Sequence, residues 1–363
     1  MLQAQIQNFS YQKCWRDVLE EFDFENINIL PSKCLINFEG KTLALSKWVS
    51  PKRTRSYPYA RVYDTFDSPK ANKIITIIPI IKDEGFNGDM DYLQWDTISL
   101  MSLLNVYVIL CFYDYAETHP TRKDKITNQK FNNDYIIKQL INLVNYHQSA
   151  LHWNLNQLEN NHLLSLVENA KNSYQKIENS LHVKLHNSQN IDKFAQKITK
   201  DRESFMEFSR QKAKDAQNRE SLTIQPKEQI GIGKKEKITI NNYLGGQYFF
   251  TIDDVIFQDN ILYLCESKHS KNALLPSNDD IKDGLLKLML YNNLSNISGF
   301  KDFKIVLRLT SDILKNSIVL PSKNLESFIE NNAFSSSQIQ TLNALNLESV
   351  NNHFEIWINN DFF

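Results

Sequence analysis

The C-terminal half of this chain predicts an α/β fold whose core has the element order αβββαβ. Three observations indicate that core: a helical pattern at about 191–216, three β-patterned runs at 237–268, and a helix followed by a strand at 279–309. Ahead of it, the sequence predicts a mixed α/β region and then a helical region, because apolar residues there change from continuous runs to a spacing of three and four.

The N-terminal region, residues 1–147, combines a hairpin with a βαβ unit. The turn signal Glu39-Gly40 lies between two apolar runs and predicts the hairpin. The β-branched run at 73–81 is typical of a strand buried on both faces. A helical pattern at 92–104 and an apolar run at 106–112 complete the βαβ unit.

Length and composition predict a multi-domain globular protein. The chain has 363 residues, whereas single cores stop growing at roughly 250–300 residues. We expect a helical connector at 148–190, the αβββαβ domain at 191–320, and a C-terminal extension at 321–363 that packs on this domain.

The net charge does not identify a partner, and the sequence shows no sign of a membrane span or a signal peptide. The formal net charge is -1, so overall basicity gives no support to nucleic-acid binding and does not exclude it. The longest apolar stretch, 98–113, is interrupted by polar residues and is shorter than the ~20 residues of a membrane span. The first residues lack the pattern of a signal peptide, so we expect a cytoplasmic protein without a membrane partner.

The stretch 251–268 is the strongest functional signal. Two apolar runs surround a polar turn; Asp253-Asp254 lies in the first run, and Glu266-Ser267-Lys268 ends the second. On a strand, residues two apart share a face, so Glu266 and Lys268 form one site. Carboxylates that hold a divalent cation, with a lysine beside the attacking water, are the groups that phosphodiester hydrolysis needs.

The context of Glu266-Ser-Lys268 distinguishes it from similar triplets. Acid-x-Lys also occurs at Glu39 on a turn, at Asp280 on the first turn of a helix, and at Asp302 at the start of a strand. Only the triplet at Glu266 follows an apolar run whose hairpin partner begins with acids. Charged groups at the end of a buried strand are costly unless they are paired or bound to metal, which favours a functional site.

The register of the hairpin decides which upstream acid shares this face. A three-residue turn at 258–260 pairs position 254 with 264 and selects Asp254. A two-residue turn at 259–260 pairs position 253 with 266 and selects Asp253. We expect Asp254, because it leads directly into the apolar run, and keep Asp253 as the alternative.

This arrangement, with the acid on the second strand and Glu-x-Lys on the third, resembles the PD-(D/E)XK nuclease superfamily over residues 191–310. The whole chain resembles a type II restriction endonuclease. The resemblance implies that Asp254 and Glu266 bind Mg²⁺ and that Lys268 assists the nucleophilic water. The proline of the motif is missing, since Ile252 or Asp253 takes its place.

Other residues are candidates for accessory roles. Glu203 and Glu207 lie one helical turn apart and could supply an extra acid, although a solvated helix face explains them as well. His269 and Lys271 follow the triplet and could meet a phosphate. A basic, aromatic loop at 47–61 predicts DNA contacts through four residues: Lys52, Arg53, Arg55 and Arg61.

Together these observations predict a Mg²⁺-dependent restriction endonuclease that cuts double-stranded DNA, with residues 1–147 as the DNA-recognition region. Cutting both strands predicts a homodimer, and a cognate DNA methyltransferase is the expected genetic partner. One alternative is a nuclease of the same superfamily that acts in repair, transposition or phage defence. Another is a non-catalytic DNA-binding protein that keeps the fold.

Overall fold

The computed structural model describes residues 1–52, 57–200, 202–222 and 233–359. These residues form strands and helices in the following order. The first part of the chain contains β1 (Leu2–Ile6), β2 (Glu21–Asp23), β3 (Lys33–Phe38), β4 (Lys41–Lys47), α1 (Pro58–Thr65), β5 (Lys73–Pro79), β6 (Ile81–Asp83), β7 (Met90–Tyr92), α2 (Trp95–Leu103), β8 (Tyr107–Cys111), β9 (Tyr113–Thr118) and β10 (Ile126–Phe131). A helical part follows, with α3 (Asn133–Val144), α4 (Ala150–Gln157), α5 (Asn160–Leu181), α6 (Ser188–Lys200) and α7 (Arg202–Leu222). The last part contains β11 (Lys234–Asn242), β12 (Gln247–Gln258), β13 (Ile261–Ser270), α8 (Asn278–Tyr291), β14 (Asn296–Ile297), β15 (Asp302–Ser311), β16 (Ile318–Leu320), α9 (Leu325–Glu330), α10 (Ser336–Asn352) and β17 (Glu355–Ile358).

The chain divides into two compact units. One unit comprises residues 19–212, and the other comprises residues 1–18 together with 213–363. We call them the middle unit and the terminal unit. This division differs from the predicted boundaries at 147 and 190, because the helical stretch belongs to the middle unit and the first strand belongs to the terminal unit.

The middle unit confirms the hairpin and the βαβ unit. Its main sheet has the order β2-β3-β4-β5-β8. Strands β3 and β4 are antiparallel around Glu39 and Gly40, which both have positive φ. Strands β5 and β8 are parallel, with α2 between them in sequence. The central β-branched run of β5 is buried, as its composition predicts.

The terminal unit is built on one eight-stranded sheet of order β14-β1-β11-β12-β13-β15-β17-β16. Its strands β11, β12 and β13 form an antiparallel meander, and α8 then leads to β15, which is parallel to β13. The predicted α/β class is therefore confirmed. The extension at 321–363 supplies β17, which pairs with β15 inside the sheet.

Helix α8 forms where the sequence predicts it. Ser277 caps its start by accepting a hydrogen bond from the backbone N–H of Asp280. Its apolar stripe, Ile281, Leu285 and Leu288, is fully buried. The helix packs on β13 and β15. Among the described residues, no helix has both the length and the apolar character needed to cross a membrane.

Candidate active site

A tight turn fixes the register of the β12–β13 hairpin. Gln258 pairs with Ile261, so the turn consists of Asp259 and Asn260 alone. Both have positive φ, 51° and 65°, as a type I′ turn requires. The prediction of a three-residue turn was therefore wrong.

The corrected register moves Asp254 to the other face of the sheet. Asp254 pairs with Cys265, whose neighbour Glu266 points to the opposite side. The alternative acid, Asp253, is the one that approaches Lys268. The expectation that Asp254 shares a face with Glu266 and Lys268 is thus corrected, because it depended on the longer turn.

A β-bulge lies at the two acids, on the side of β12 that pairs with β11. On the β11 side, Glu236 pairs with Ile252 and Lys234 with Val255. Two steps along β11 therefore match three steps along β12, which leaves one extra residue in the Asp253-Asp254 pair. Bulges bend a strand and re-aim side chains, so the two neighbouring carboxylates leave β12 in different directions.

Asp253 is buried and is held by the main chain of the facing strand. Its Oδ2 accepts a hydrogen bond from the backbone N–H of Ser267 at 3.0 Å. Its negative charge contributes to the raised pKa of Lys268. Asp253 therefore belongs to the same charged group as the Glu-Ser-Lys triplet.

Asp254 lies in a separate polar cluster. Its Oδ2 accepts a hydrogen bond from the Ser267 hydroxyl at 3.0 Å and lies 3.6 Å from Nη1 of the buried Arg308. Burial raises the pKa of Asp254, while the Ser267 hydrogen bond and the Arg308 charge act in the opposite direction. Ser267 thus contacts both acids: its hydroxyl donates a hydrogen bond to Asp254, and its backbone N–H donates one to Asp253.

Glu266 is the most deeply buried acid of the group, with 0% of its surface exposed. Both of its carboxylate oxygens lie 2.7 Å from Nζ of Lys287, a residue of α8. Its Oε1 also lies 3.1 Å from Nζ of Lys268. A carboxylate without solvent needs such partners, since an unpaired buried charge is strongly unfavourable.

Lys268 is surrounded by acids. Its Nζ donates a hydrogen bond to Oδ2 of Asp283 at 3.0 Å and contacts Glu266. Burial by itself lowers the pKa of Lys268, but the charges of Glu266, Asp283 and Asp253 outweigh it and raise the pKa above 10.5. Lys268 is therefore a permanent cation in this arrangement, suited to stabilise negative charge.

Helix α8 contributes two charged residues, Asp283 and Lys287, that the sequence analysis did not identify as part of the site. Asp283 and Lys287 are four residues apart and therefore lie on one helix face. Gly284 allows this face to approach β13, because a Cβ on it would lie 3.2 Å from Cε of Lys268 and 3.6 Å from Cγ of Glu266. The i, i+4 spacing beside a glycine was the signal that could have revealed them.

The acids Glu203 and Glu207 belong to the middle unit, whereas the group around Lys268 belongs to the terminal unit. Both side chains are exposed on α7. Their proposed role as accessory acids stays a prediction.

Two of the four predicted DNA-binding residues of the basic loop have partners within the protein. Lys52 pairs with the buried carboxylate of Asp91. Arg61 donates a hydrogen bond from Nη1 to the backbone carbonyl of Lys47 at 2.7 Å. These contacts anchor the ends of the loop, while Arg53 and Arg55 lie outside the described residues.

The basic residues after the triplet differ in their surroundings. The ring of His269 is held by the Thr310 hydroxyl, 3.0 Å from Nδ1, and by Asp312, 3.4 Å from Nε2. Lys271 is exposed. Of the two, Lys271 has the accessibility that a phosphate contact requires.

Comparison with protein-family models, with curated proteins and with solved structures finds no match for this chain. Function is therefore argued from the chemistry of the site.

The donors around Lys268 fit a hard divalent cation in type. Carboxylate oxygens are its preferred protein ligands, and Mg²⁺ takes only one or two of them together with substrate and water oxygens. Asp253 and Glu266 meet that requirement. Within the part of the chain that the structure describes, no three acidic, histidine or cysteine side chains converge as a ready-made metal cage.

Proposed function

We propose that this chain is a Mg²⁺-dependent endodeoxyribonuclease of the restriction type, with its catalytic site in the terminal unit. The observation that carries the proposal is the cluster of Asp253, Glu266 and Lys268 within the neighbouring strands β12 and β13. Two carboxylates and a permanent cation match the demands of phosphodiester hydrolysis. The order αβββαβ around them supports a PD-(D/E)XK core.

In the proposed reaction, Asp253 and Glu266 hold the metal ion. When bound, Mg²⁺ supplies neutralisation of the phosphate oxygens and activation of water. Lys268 contributes a fixed positive charge that stabilises the pentacoordinate transition state at phosphorus. Asp283 orients the ammonium group of Lys268 through their hydrogen bond. The raised pKa of Lys268 favours this electrostatic role over that of a general base.

Lys287 gives Glu266 a partner within the protein. Because both oxygens of Glu266 contact Lys287, a cation that binds Glu266 competes with this lysine. Lys287 thus acts as a positioning residue that keeps a fully buried carboxylate in place.

The proposed substrate is double-stranded DNA, and cleavage of both strands implies a homodimer, since each strand needs a site. A cognate DNA methyltransferase is the genetic partner that a restriction enzyme requires. A nuclease of the same superfamily in repair, transposition or phage defence uses the same site, and it differs by cutting without a fixed sequence.

The chain supplies a control with the same charge change for a cleavage test, and circular dichroism checks that both double variants are folded. The double variant E266Q/K268A removes the charges of the proposed site, and D302N/K304A makes the same charge change in the acid-x-Lys triplet of the neighbouring strand β15. Lys304 pairs with Glu355 near the surface. We expect wild type and D302N/K304A to cut plasmid and phage DNA with Mg²⁺, and E266Q/K268A to leave it intact.

Sequencing the ends of the fragments identifies the type of nuclease. A single short sequence at all ends supports restriction, and ragged ends support the other nuclease roles. If wild type cuts none of a broad DNA panel, the nuclease proposal fails. If both double variants cut as wild type does, the assignment of the catalytic site to Glu266 and Lys268 fails.

A second candidate, a non-catalytic DNA-binding protein, is favoured by the complete engagement of Glu266 by Lys287. It predicts salt-dependent DNA binding that survives E266Q/K268A, together with no cleavage by wild type.

A further inference from the structure

A cavity in the middle unit is lined by basic and aromatic side chains. It encloses about 390 Å³, a size typical of small-molecule sites. Its walls lie on the loop before β7, on β7 itself and on helices α6 and α7. The lining includes three lysines and three aromatic rings: Lys193, Lys197, Lys212, Tyr92, Phe194 and Phe208.

The lysines give this cavity a positive charge. Asp89 is the one carboxylate in its described lining. Nζ of Lys197 lies 4.8 Å and Nζ of Lys212 lies 5.8 Å from the centre of the same ring, that of Phe208. Cation–π contact therefore holds both ammonium groups near one ring of the cavity wall.

A histidine completes the basic lining, and a buried acid fixes its orientation. Oδ1 of Asp83 lies 2.8 Å from Nδ1 of His186, and Oδ2 accepts a hydrogen bond from the backbone N–H of His186 at 3.0 Å. Asp83 is only 1% exposed. With Nδ1 engaged, Nε2 is the ring nitrogen left for a ligand.

The aromatic rings form a continuous group at this cavity. The ring centres of Tyr92 and Phe194 are 4.7 Å apart, and those of Phe194 and Phe208 are 5.8 Å apart. His186 also lines a neighbouring cavity of about 490 Å³, whose lining includes the exposed ring of Phe86 and the side chain of Lys184. Phe194 is only 2% exposed, so Tyr92 and Phe208, which are partly exposed, are the rings of this group available to a ligand. Aromatic rings beside lysines suit a ligand that joins an anionic group to a planar ring.

We infer that this cavity binds a nucleotide, with its phosphate held by Lys193, Lys197, Lys212 and His186. The nucleotide is either a unit of a DNA strand or a free nucleotide, since both present the same phosphate and base. The site goes beyond the proposed nuclease activity and does not depend on it.

The test measures binding to the full chain in EDTA, which prevents Mg²⁺-dependent cleavage. The probes are a fluorescently labelled single-stranded oligodeoxynucleotide, its duplex form, and ATP as the free nucleotide. The test variant is K193A/K197A/K212A. The matched control is K123A/K138A/K176A, which removes three exposed lysines of the same unit outside the cavity.

We expect the test variant to lose at least about tenfold in affinity for one or more probes, because each phosphate contact is a charge-assisted hydrogen bond. For a DNA probe, the slope of log affinity against log salt concentration should fall by roughly two to three. The control should bind as wild type does. Lysine-dependent binding of DNA identifies a strand as the ligand, and lysine-dependent binding of ATP alone identifies a free nucleotide.

The inference is overturned if wild type binds none of the probes, or if the test variant and the control bind all of them equally. Failure of the nuclease proposal would be distinguishable from failure of this inference. In that case wild type cuts no DNA with Mg²⁺, while probe binding in EDTA remains sensitive to the cavity lysines.

Discussion

Removal of Lys287 should destabilise the terminal unit strongly. Glu266 is fully buried, the side chain of Lys287 is 4% exposed, and both carboxylate oxygens lie 2.7 Å from Nζ. Breaking a buried ion pair from one side costs about 3–5 kcal/mol. Because Lys268 remains 3.1 Å from Glu266, we expect K287M to lower the free energy of unfolding by about 3 kcal/mol, at the low end of that range.

Urea unfolding in EDTA, followed by far-UV circular dichroism, measures this change. The control is K304A, which removes one side of the exposed pair Lys304–Glu355 and should cost less than about 1 kcal/mol. The double variant E266Q/K287M removes the buried charge itself and should recover most of the loss. If K287M is as stable as K304A, or if E266Q/K287M is no more stable than K287M, burial of an unpaired charge is not the cause.

Two further predictions concern packing and pH. G284A should lower stability by up to about 2 kcal/mol in the same urea assay, because the added Cβ would lie 2.9 Å from Cδ1 of the buried Leu307 and the ~1 kcal/mol by which alanine favours a helix offsets only part of the cost. A gain in stability of the full ~1 kcal/mol would contradict the close approach of α8. Burial lowers the pKa of Lys47 from 10.5 to about 8, so the unfolded chain binds more protons between these values, and wild type should gain stability over K47M as pH rises from 8 to 10.5. A stability difference that is constant or falls over this window would show that Lys47 stays charged in the folded protein.

Local patterns in the sequence were sufficient to predict several elements. The hairpin at Glu39-Gly40 and the βαβ unit each depend on residues close in the chain, and both are confirmed. The pairing of β1 with β11 was not predicted, because it joins residues more than two hundred positions apart and β1 is only five residues long. Nothing in so short a run specifies a distant partner.

The site shows the same division between local and long-range information. Glu266 and Lys268 share a face because they are two residues apart on one strand, which periodicity alone dictates. The choice between Asp253 and Asp254 depended on whether the turn has two or three residues, and the sequence allows both lengths. The contacts of Asp283 and Lys287 depend on how α8 packs against the sheet. Helix packing is a tertiary property, so spacing along the chain could suggest these two residues but could not reveal that they reach Lys268 and Glu266.

The most direct test compares D253N with D254N in Mg²⁺-dependent cleavage of DNA that wild type cuts. Both variants make the same change at adjacent positions, and circular dichroism checks that both are folded. We predict that D253N reduces the cleavage rate by about a hundredfold or more, since a lost metal ligand removes several kcal/mol of transition-state stabilisation. D254N should stay within about tenfold of wild type, because its carboxylate faces Ser267 and Arg308 instead. Loss of cleavage in D254N with normal cleavage in D253N would contradict the proposed site.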